Sequence, residues 1–389
     1  MSEQTKIAWA DSTVNFWIGC EKVSTGCANC YADEQDQRRF SRTLGEATKE
    51  NPIRHWGKDA PRYKVAGAVK DALAFNRKPW ICDECGTAVS NREIGHEADG
   101  VRCLLNEPSF HRRRIFSLSL GDWLDDAVPI EWLAEMLDTI RQCDHVTWIL
   151  CTKRPENWAN RISAAMQWFD KSTPRATSDE EFELKKWVVE GTTRPDALIK
   201  KLTRHPTALW LGQWLEESVA GAFRGNSKTP KNIILLTSVE NQEQANKRIL
   251  ELLKIPAARR GLSLEPLLGP VNLNGIQSAG IAFSALEAGV LVKEKLDWLI
   301  IGGESGTNAR PCNVDWIRSI VAQGNAAGVP TFVKQVGSNP VRGKCDEPFE
   351  RIKNVRKYGY DHHEAVPYDK KGGDMAEWPA DLRVREFYK

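Results

Sequence analysis

Asn232-Ile233-Ile234-Leu235-Leu236-Thr237 runs straight into the polar turn Ser238-Val239-Glu240-Asn241. An amphipathic stretch at 242–253 follows, apolar at Ala245, Ile249, Leu252 and Leu253. A short, nearly unbroken apolar run rich in β-branched and aliphatic residues reads as a buried strand, and the helical period behind it as the covering layer. The unit recurs. Residues 114–120 end at Gly121-Asp122-Trp123, and 146–151 end at Thr152-Lys153-Arg154-Pro155. Residues 260–264 end at Glu265-Pro266, 296–301 at Gly302-Gly303-Glu304-Ser305, and 330–333 at Lys334-Gln335. Helical stretches at 130–143 and 314–327 stand between them, and 32–42 is helix-like with Asp33 and Glu34 in its first turn. Six such runs and a lead-in strand predict an α/β fold: a (β/α) barrel, complete or partly open, rather than a Rossmann sheet.

Two interruptions and a tail divide the chain. Residues 1–79 hold the lead-in strand and outer helices, 80–112 an insertion with zinc-ribbon-like spacing, and 113–155 the next part of the barrel. Residues 156–231 form a helical insertion, with helix expected at 158–169 and 180–202, because so long a connection is a subdomain rather than a loop. Residues 232–337 complete the barrel, and 338–389 form a turn-rich, charged C-terminal extension.

The bulk numbers describe an ordinary soluble protein: 389 residues, 41% hydrophobic, 27% charged, formal charge +2. So balanced a charge gives no global pull toward nucleic acid or membrane, leaving only local basic patches. No apolar run approaches the roughly 18 residues of a membrane span. The polar start, Met1 to Lys6, lacks a signal-peptide core, so a cytoplasmic location is expected, in a bacterium or bacterial host. Thiols there stay reduced, and clustered cysteines read as metal ligands.

Cys20, Cys27 and Cys30 follow the lead-in strand with spacing C-x6-C-x2-C. Three thiolates with no fourth nearby suit an iron–sulfur cluster with one open iron. Zinc completed by a distant residue is the rival, and ordinary reduced thiols a third reading. Cys82 and Cys85, followed by Gly86, form a knuckle suited to structural zinc, with Cys103 as third ligand and His96 or His111 as fourth. Cys143, Cys151, Cys312 and Cys345 stand alone and read as core or surface thiols. Arg38-Arg39 and residues 54–58 read as solvated basic faces, with phosphate contact as the alternative, whereas His111-Arg112-Arg113-Arg114 reads equally as guanidinium groups presented to phosphates and as a solvated strand-flanking run.

The cysteine loop resembles the cluster loop of radical S-adenosylmethionine enzymes, whose usual spacing is C-x3-C-x2-C. Here the first gap is longer, and Asn29 stands where an aromatic usually precedes the last cysteine. Most of the chain resembles a phage-associated family of unknown function named for its three-cysteine motif. That resemblance rests on Asn15-Phe16-Trp17-Ile18-Gly19-Cys20, Thr152-Lys153-Arg154-Pro155, Ser263-Leu264-Glu265-Pro266-Leu267-Leu268-Gly269-Pro270, Gly302-Gly303-Glu304-Ser305-Gly306 and Lys334-Gln335. It implies a 4Fe–4S cluster, S-adenosylmethionine bound at the open iron, a 5′-deoxyadenosyl radical, an electron donor, and a partner protein encoded nearby.

In a barrel the strand-end residues converge on one face. Lys153, Glu265, Glu304 and Lys334 are therefore the candidate catalytic residues. Tyr31, Asp122, Arg154, Ser238, Glu240, Gly302, Gly303 and Gln335 are candidates for holding the cofactor. The expected function is a radical S-adenosylmethionine enzyme acting on a nucleic acid or nucleotide. The alternatives are a zinc- and cluster-stabilised nucleic-acid-binding protein without catalysis, and a metal-dependent hydrolase with Glu265 or Glu304 as general base.

Overall fold

The computed structural model describes residues 4–92, 97–98, 101–102, 109–172, 205–220, 229–290, 292–341 and 369–388. Its centre is a sheet of seven parallel strands: β1 (Ser12–Val14), β2 (Arg114–Ser117), β3 (Thr147–Thr152), β4 (Ile233–Ser238), β5 (Arg259–Leu264), β6 (Trp298–Gly302) and β7 (Thr331–Gln335). They lie side by side in chain order, without reversal. The lead-in strand and all six apolar runs are therefore strands of one sheet. A doubly wound sheet reverses its order at a switch point; this one does not.

Monotonic order has a geometric consequence. Right-handed crossovers that always step the same way put every crossover on one face, and the sheet curls away from it. The result is a mixed α/β protein whose large curled parallel sheet forms a half-barrel. Residues alternate accordingly. Ile115, Trp148, Leu150, Ile233, Leu235, Leu262, Leu299, Ile301 and Val333 join the large outer core. That core also takes in buried residues of α3 (Ile130–Gln142), α6 (Gln242–Lys254) and α7 (Val314–Ala327). Asn241 and Asn313 start the last two helices by accepting the N–H of Gln244 and Asp315 at 3.0 and 2.9 Å.

The inner face carries a smaller core: Trp9, Ile149, Ile234, Leu236, Trp298, Ile300 and Phe332. Its floor is sealed by Phe387 and Tyr388 against Trp298, with ring centroids 6.0 and 5.2 Å apart. The tail reaches this position by pairing with the last strand. Val333 N–H bonds Val384 O at 2.8 Å, and Glu386 N–H bonds Thr331 O at 2.9 Å.

Outside the sheet, α1 (Tyr31–Arg38) and α2 (Ala68–Arg77) flank the lead-in region. Helix α1 is shorter than the predicted 32–42, and a 3-10 turn, Phe40–Arg42, follows it. The knuckle region is a small antiparallel sheet of Ala88–Val89, Trp80–Cys82 and Phe110–Arg112. Gly86 closes its hairpin at φ +72°, a conformation few other residues accept. In the long insertion, α4 (Trp158–Ser172) fits expectation and packs on a further helix, α5 (Pro206–Ala220), through Trp158 against Trp214 at 5.4 Å. The helix expected at 180–202 lies outside the described residues, as do His96, Cys103 and Cys345. Among the described residues, no helix is long and apolar enough to cross a membrane.

Candidate functional site

The cysteine loop, residues 20–30, follows β1 and lies across the carboxyl ends of the strands. Asn15 aims it: its Oδ1 accepts Leu120 N–H at 2.9 Å, tying the end of β1 to the loop after β2. Gly19 has φ +120°, and a Cβ built there would meet His55 O at 2.5 Å, so the turn into Cys20 admits only glycine.

Carboxylates from distant strand ends then hold the loop. Glu240, after β4, is fully buried and takes Arg248 Nη1 at 2.8 Å on one oxygen and Ser24 Oγ on the other. Gly26 lies against the same carboxylate, with no room for a side chain. Glu304, after β6, accepts Asn29 Nδ2 at 3.0 Å and three N–H groups of Arg310: the backbone at 2.8 Å, Nε at 3.0 Å and Nη2 at 2.6 Å. Arg310 Nη1 continues to Thr25 O at 2.7 Å. Burial raises the Glu304 pKa, but Arg310 and Asn29 more than reverse this and hold it below the usual carboxylate range.

Each thiol meets a polar or cationic neighbour. Arg154 Nη1 lies 3.6 Å from Cys20 Sγ, and Nη2 donates to Glu21 O at 2.9 Å. Burial still pushes the Cys20 thiol up to about 12, helped by Asp122 and opposed by Arg154. Cys27 is buried, with Ser24 Oγ 3.8 Å from its sulfur. Cys30 is also raised by burial, against the opposing pull of the Asp33 and Ala32 N–H groups and Lys153. Among the described residues, no three His, Cys, Asp or Glu side chains are grouped as a cage for a single metal ion. The donor set nonetheless suits an anionic cluster: three thiols on one short loop, with Arg154 and Lys153 placed to offset negative charge.

Beneath the loop, Asp122 organises the β3 exit. It accepts Thr152 Oγ1 at 2.7 Å, Lys153 N–H at 2.9 Å and Arg154 Nη1 at 3.0 Å. Lys334 Nζ pairs with Glu265 Oε1 at 2.8 Å, and a Cβ on Gly302 would meet that oxygen at 2.7 Å. Gly303 lies against the Val336 backbone, and Gln335 Nε2 donates to Gly303 O at 2.8 Å. Ser238 Oγ is 3.4 Å from Cys151 Sγ, and burial lifts that thiol to about 11. Tyr31 donates its hydroxyl to Ser119 O while leaving 47% of its surface exposed. Of the strand-end residues expected from sequence, Arg154, Glu240 and Glu304 bond the cysteine loop, whereas Glu265, Lys334, Gln335 and Ser238 bond one another or neighbouring strand ends. Ser24, Asn29, Arg248 and Arg310 were not anticipated.

The basic runs divide. Arg38, Arg39, Arg54, Lys58 and Arg112 are exposed as expected, although Asp36 takes Arg54 Nε at 3.1 Å; His55, whose Nδ1 faces Asp36 at 2.7 Å, and Trp56 are buried. Arg113 is buried against Phe75, and Arg114 Nη2 pairs with Asp11 at 2.9 Å. Both His111 ring nitrogens face carboxylates, Asp83 at 2.5 Å and Asp11 at 3.1 Å, while Cys85 is exposed and Cys82 buried.

Fold and site together define a class: an open, singly wound α/β protein with a three-cysteine loop strapped over its strand ends. Within it, the chain belongs to the family described as protein of unknown function (DUF5131), which matches residues 4–367. No curated protein and no solved structure matches the chain.

Proposed function

We propose that the protein is an iron–sulfur enzyme of the radical S-adenosylmethionine type, built on an incomplete (β/α) barrel with a zinc-ribbon-like insertion. One observation carries this reading. The three-cysteine loop lies across the carboxyl ends of a parallel sheet, where strand-end side chains from six strands can surround a reacting molecule. A 4Fe–4S cluster on Cys20, Cys27 and Cys30 would supply an open iron for S-adenosylmethionine and, once reduced, the electron that cleaves it.

The chain's own residues have definable tasks. Arg154 donates toward Cys20 and keeps cationic charge beside the sulfur. Glu240 and Glu304 fix the loop, so that its thiols are presented from a braced backbone. Glu265 and Lys334 stand below as a carboxylate–ammonium pair able to accept and donate to a bound amino acid moiety. With Arg113 buried against Phe75 and Arg114 paired with Asp11, the favoured substrate is a nucleotide-sized molecule rather than a nucleic acid strand.

The test is anaerobic reconstitution with iron and sulfide. Wild type should acquire an absorbance band near about 400 nm and release 5′-deoxyadenosine only with dithionite and S-adenosylmethionine. Cys27→Ala should lose both. Wild type that gains iron but never cleaves S-adenosylmethionine would leave a cluster-stabilised binding protein; wild type that takes zinc instead would favour the hydrolase.

A further inference from the structure

Charges around the strand ends are matched in pairs: Arg154 with Asp122 at 3.0 Å, Arg248 with Glu240 at 2.8 Å, and Arg310 with Glu304 at 2.6 Å. Lys153 is the exception. Its backbone N–H is fixed by Asp122 at 2.9 Å and its side chain is half-buried. Among the described residues its ammonium has no hydrogen-bond or ion-pair partner. Ile149 and Cys151 face the inner core, so Lys153, two residues further along the same alternation, leaves the strand on that face, next to the exit that Asp122 fixes under the cysteine loop.

Above Leu236 and Ile300 that face carries small residues: Ser238 stands opposite Ser263 and 3.4 Å from Cys151 Sγ, and Gly302 lies against Glu265. Lys334 and Glu265 stand beside them as an ion pair. Lys153 and Lys334 against Glu265 leave one net positive charge in the space. A cation held partly out of water without a partner costs free energy that a bound oxyanion recovers.

We infer that the space between the cysteine loop and the inner face of the sheet is a subsite for the oxyanion of a small molecule, a carboxylate or a phosphate, with Lys153 as its charge partner and Lys334 as a second donor. The inference rests on reading the cysteine-loop face as the active site, and it adds the charge of the ligand. Two sources share this chemistry: the methionine carboxylate of S-adenosylmethionine and the phosphate of a nucleotide substrate.

Calorimetric titration of the full-length protein separates them, using S-adenosylmethionine, adenosine monophosphate, inorganic phosphate and adenosine as probes. Wild type should bind at least one anionic probe, Lys153→Met should weaken that binding about tenfold or more, and Lys153→Arg should largely restore it. Adenosine should be unaffected. A loss confined to S-adenosylmethionine identifies the cofactor carboxylate, whereas a loss for the monophosphate or phosphate identifies a substrate phosphate. Failure of every anionic probe to bind wild type overturns the inference. So does equal affinity in Lys153→Met, or an equal loss for adenosine. Iron content of reconstituted wild type is measured independently, so a protein that loads iron but ignores the Lys153 substitution refutes the subsite alone.

Discussion

Arg310→Ala tests how the cysteine loop is held. Glu304 is 5% exposed and accepts four hydrogen bonds, three of them from Arg310. Truncation removes the two guanidinium bonds and the link from Nη1 to Thr25 O. It leaves a buried carboxylate with the Asn29 amide and one backbone N–H. Removing one partner of a buried ion pair costs about 3–5 kcal/mol. The Arg310 side chain is 29% exposed, and solvent screening lowers the expectation to about 2 kcal/mol.

That energy is local to the loop, so hydrogen exchange is the appropriate measurement. The amides of Cys27 and Ala28 bond Ser24 O and Thr25 O at 3.0 and 3.2 Å and report its opening. A cost of about 2 kcal/mol corresponds to roughly 30-fold faster exchange at these amides. The pH dependence has a fixed sign. Glu304 is depressed in the folded state, so its stabilisation is complete above the ordinary glutamate value and lost as pH falls through the folded one. Loop opening in wild type should therefore become easier below about pH 4, and Arg310→Ala should flatten that dependence. Exchange at Cys27 within about threefold of wild type near neutral pH would refute the reasoning.

Phe387→Ala should cost about 2 kcal/mol by opening the inner floor, and should shift tryptophan emission to the red as Trp298 and its neighbours meet water. A melt and spectrum matching wild type would count against the plug. His111 is raised in the fold: burial lowers it, but Asp11 and Asp83 outweigh that. Its stabilisation is thus complete below the ordinary histidine value and lost as pH rises through the folded one. A proton NMR titration should place the His111 midpoint above the free value, and Asp11→Asn should lower it. Iodoacetamide at mildly alkaline pH should modify exposed Cys85 before Cys20, Cys143 or Cys312, whose thiols burial lifts to about 12. Modification of Cys143 at the rate of Cys85 in the folded protein would contradict its burial.

Six of the seven strands were legible because each is a short apolar run with its own turn, a signal carried within a few residues; β1, Ser12–Val14, was read only as an extended lead-in. The strand-end list was legible for the same reason: topology alone places Glu240, Glu265, Glu304 and Lys334 on one face. Their partners were not. Ser24 meets Glu240 across 216 positions, Asn29 meets Glu304 across 275, and Arg310 meets Thr25 across 285. No local pattern marks such pairs. Gly302 and Gly303, candidates for holding the cofactor, also make room in the fold for Glu265 and the Val336 backbone, which no local pattern announced. Arg113 and Arg114 looked solvated because a charge run says nothing about the buried Phe75 or about the Asp11 that meets it.

The separation of the cysteine loop from its braces also matters during synthesis. The thiols leave the ribosome before their braces, and Glu304 and Arg310 follow some 275 to 285 residues later. At bacterial and eukaryotic elongation rates that interval is about 15–60 s. Through it the nascent chain carries three unbraced sulfurs exposed to oxidants and to whatever metal is at hand. On the proposed function, cluster loading waits until Arg310 has emerged, and oxygen during synthesis should harm the loop most within that interval.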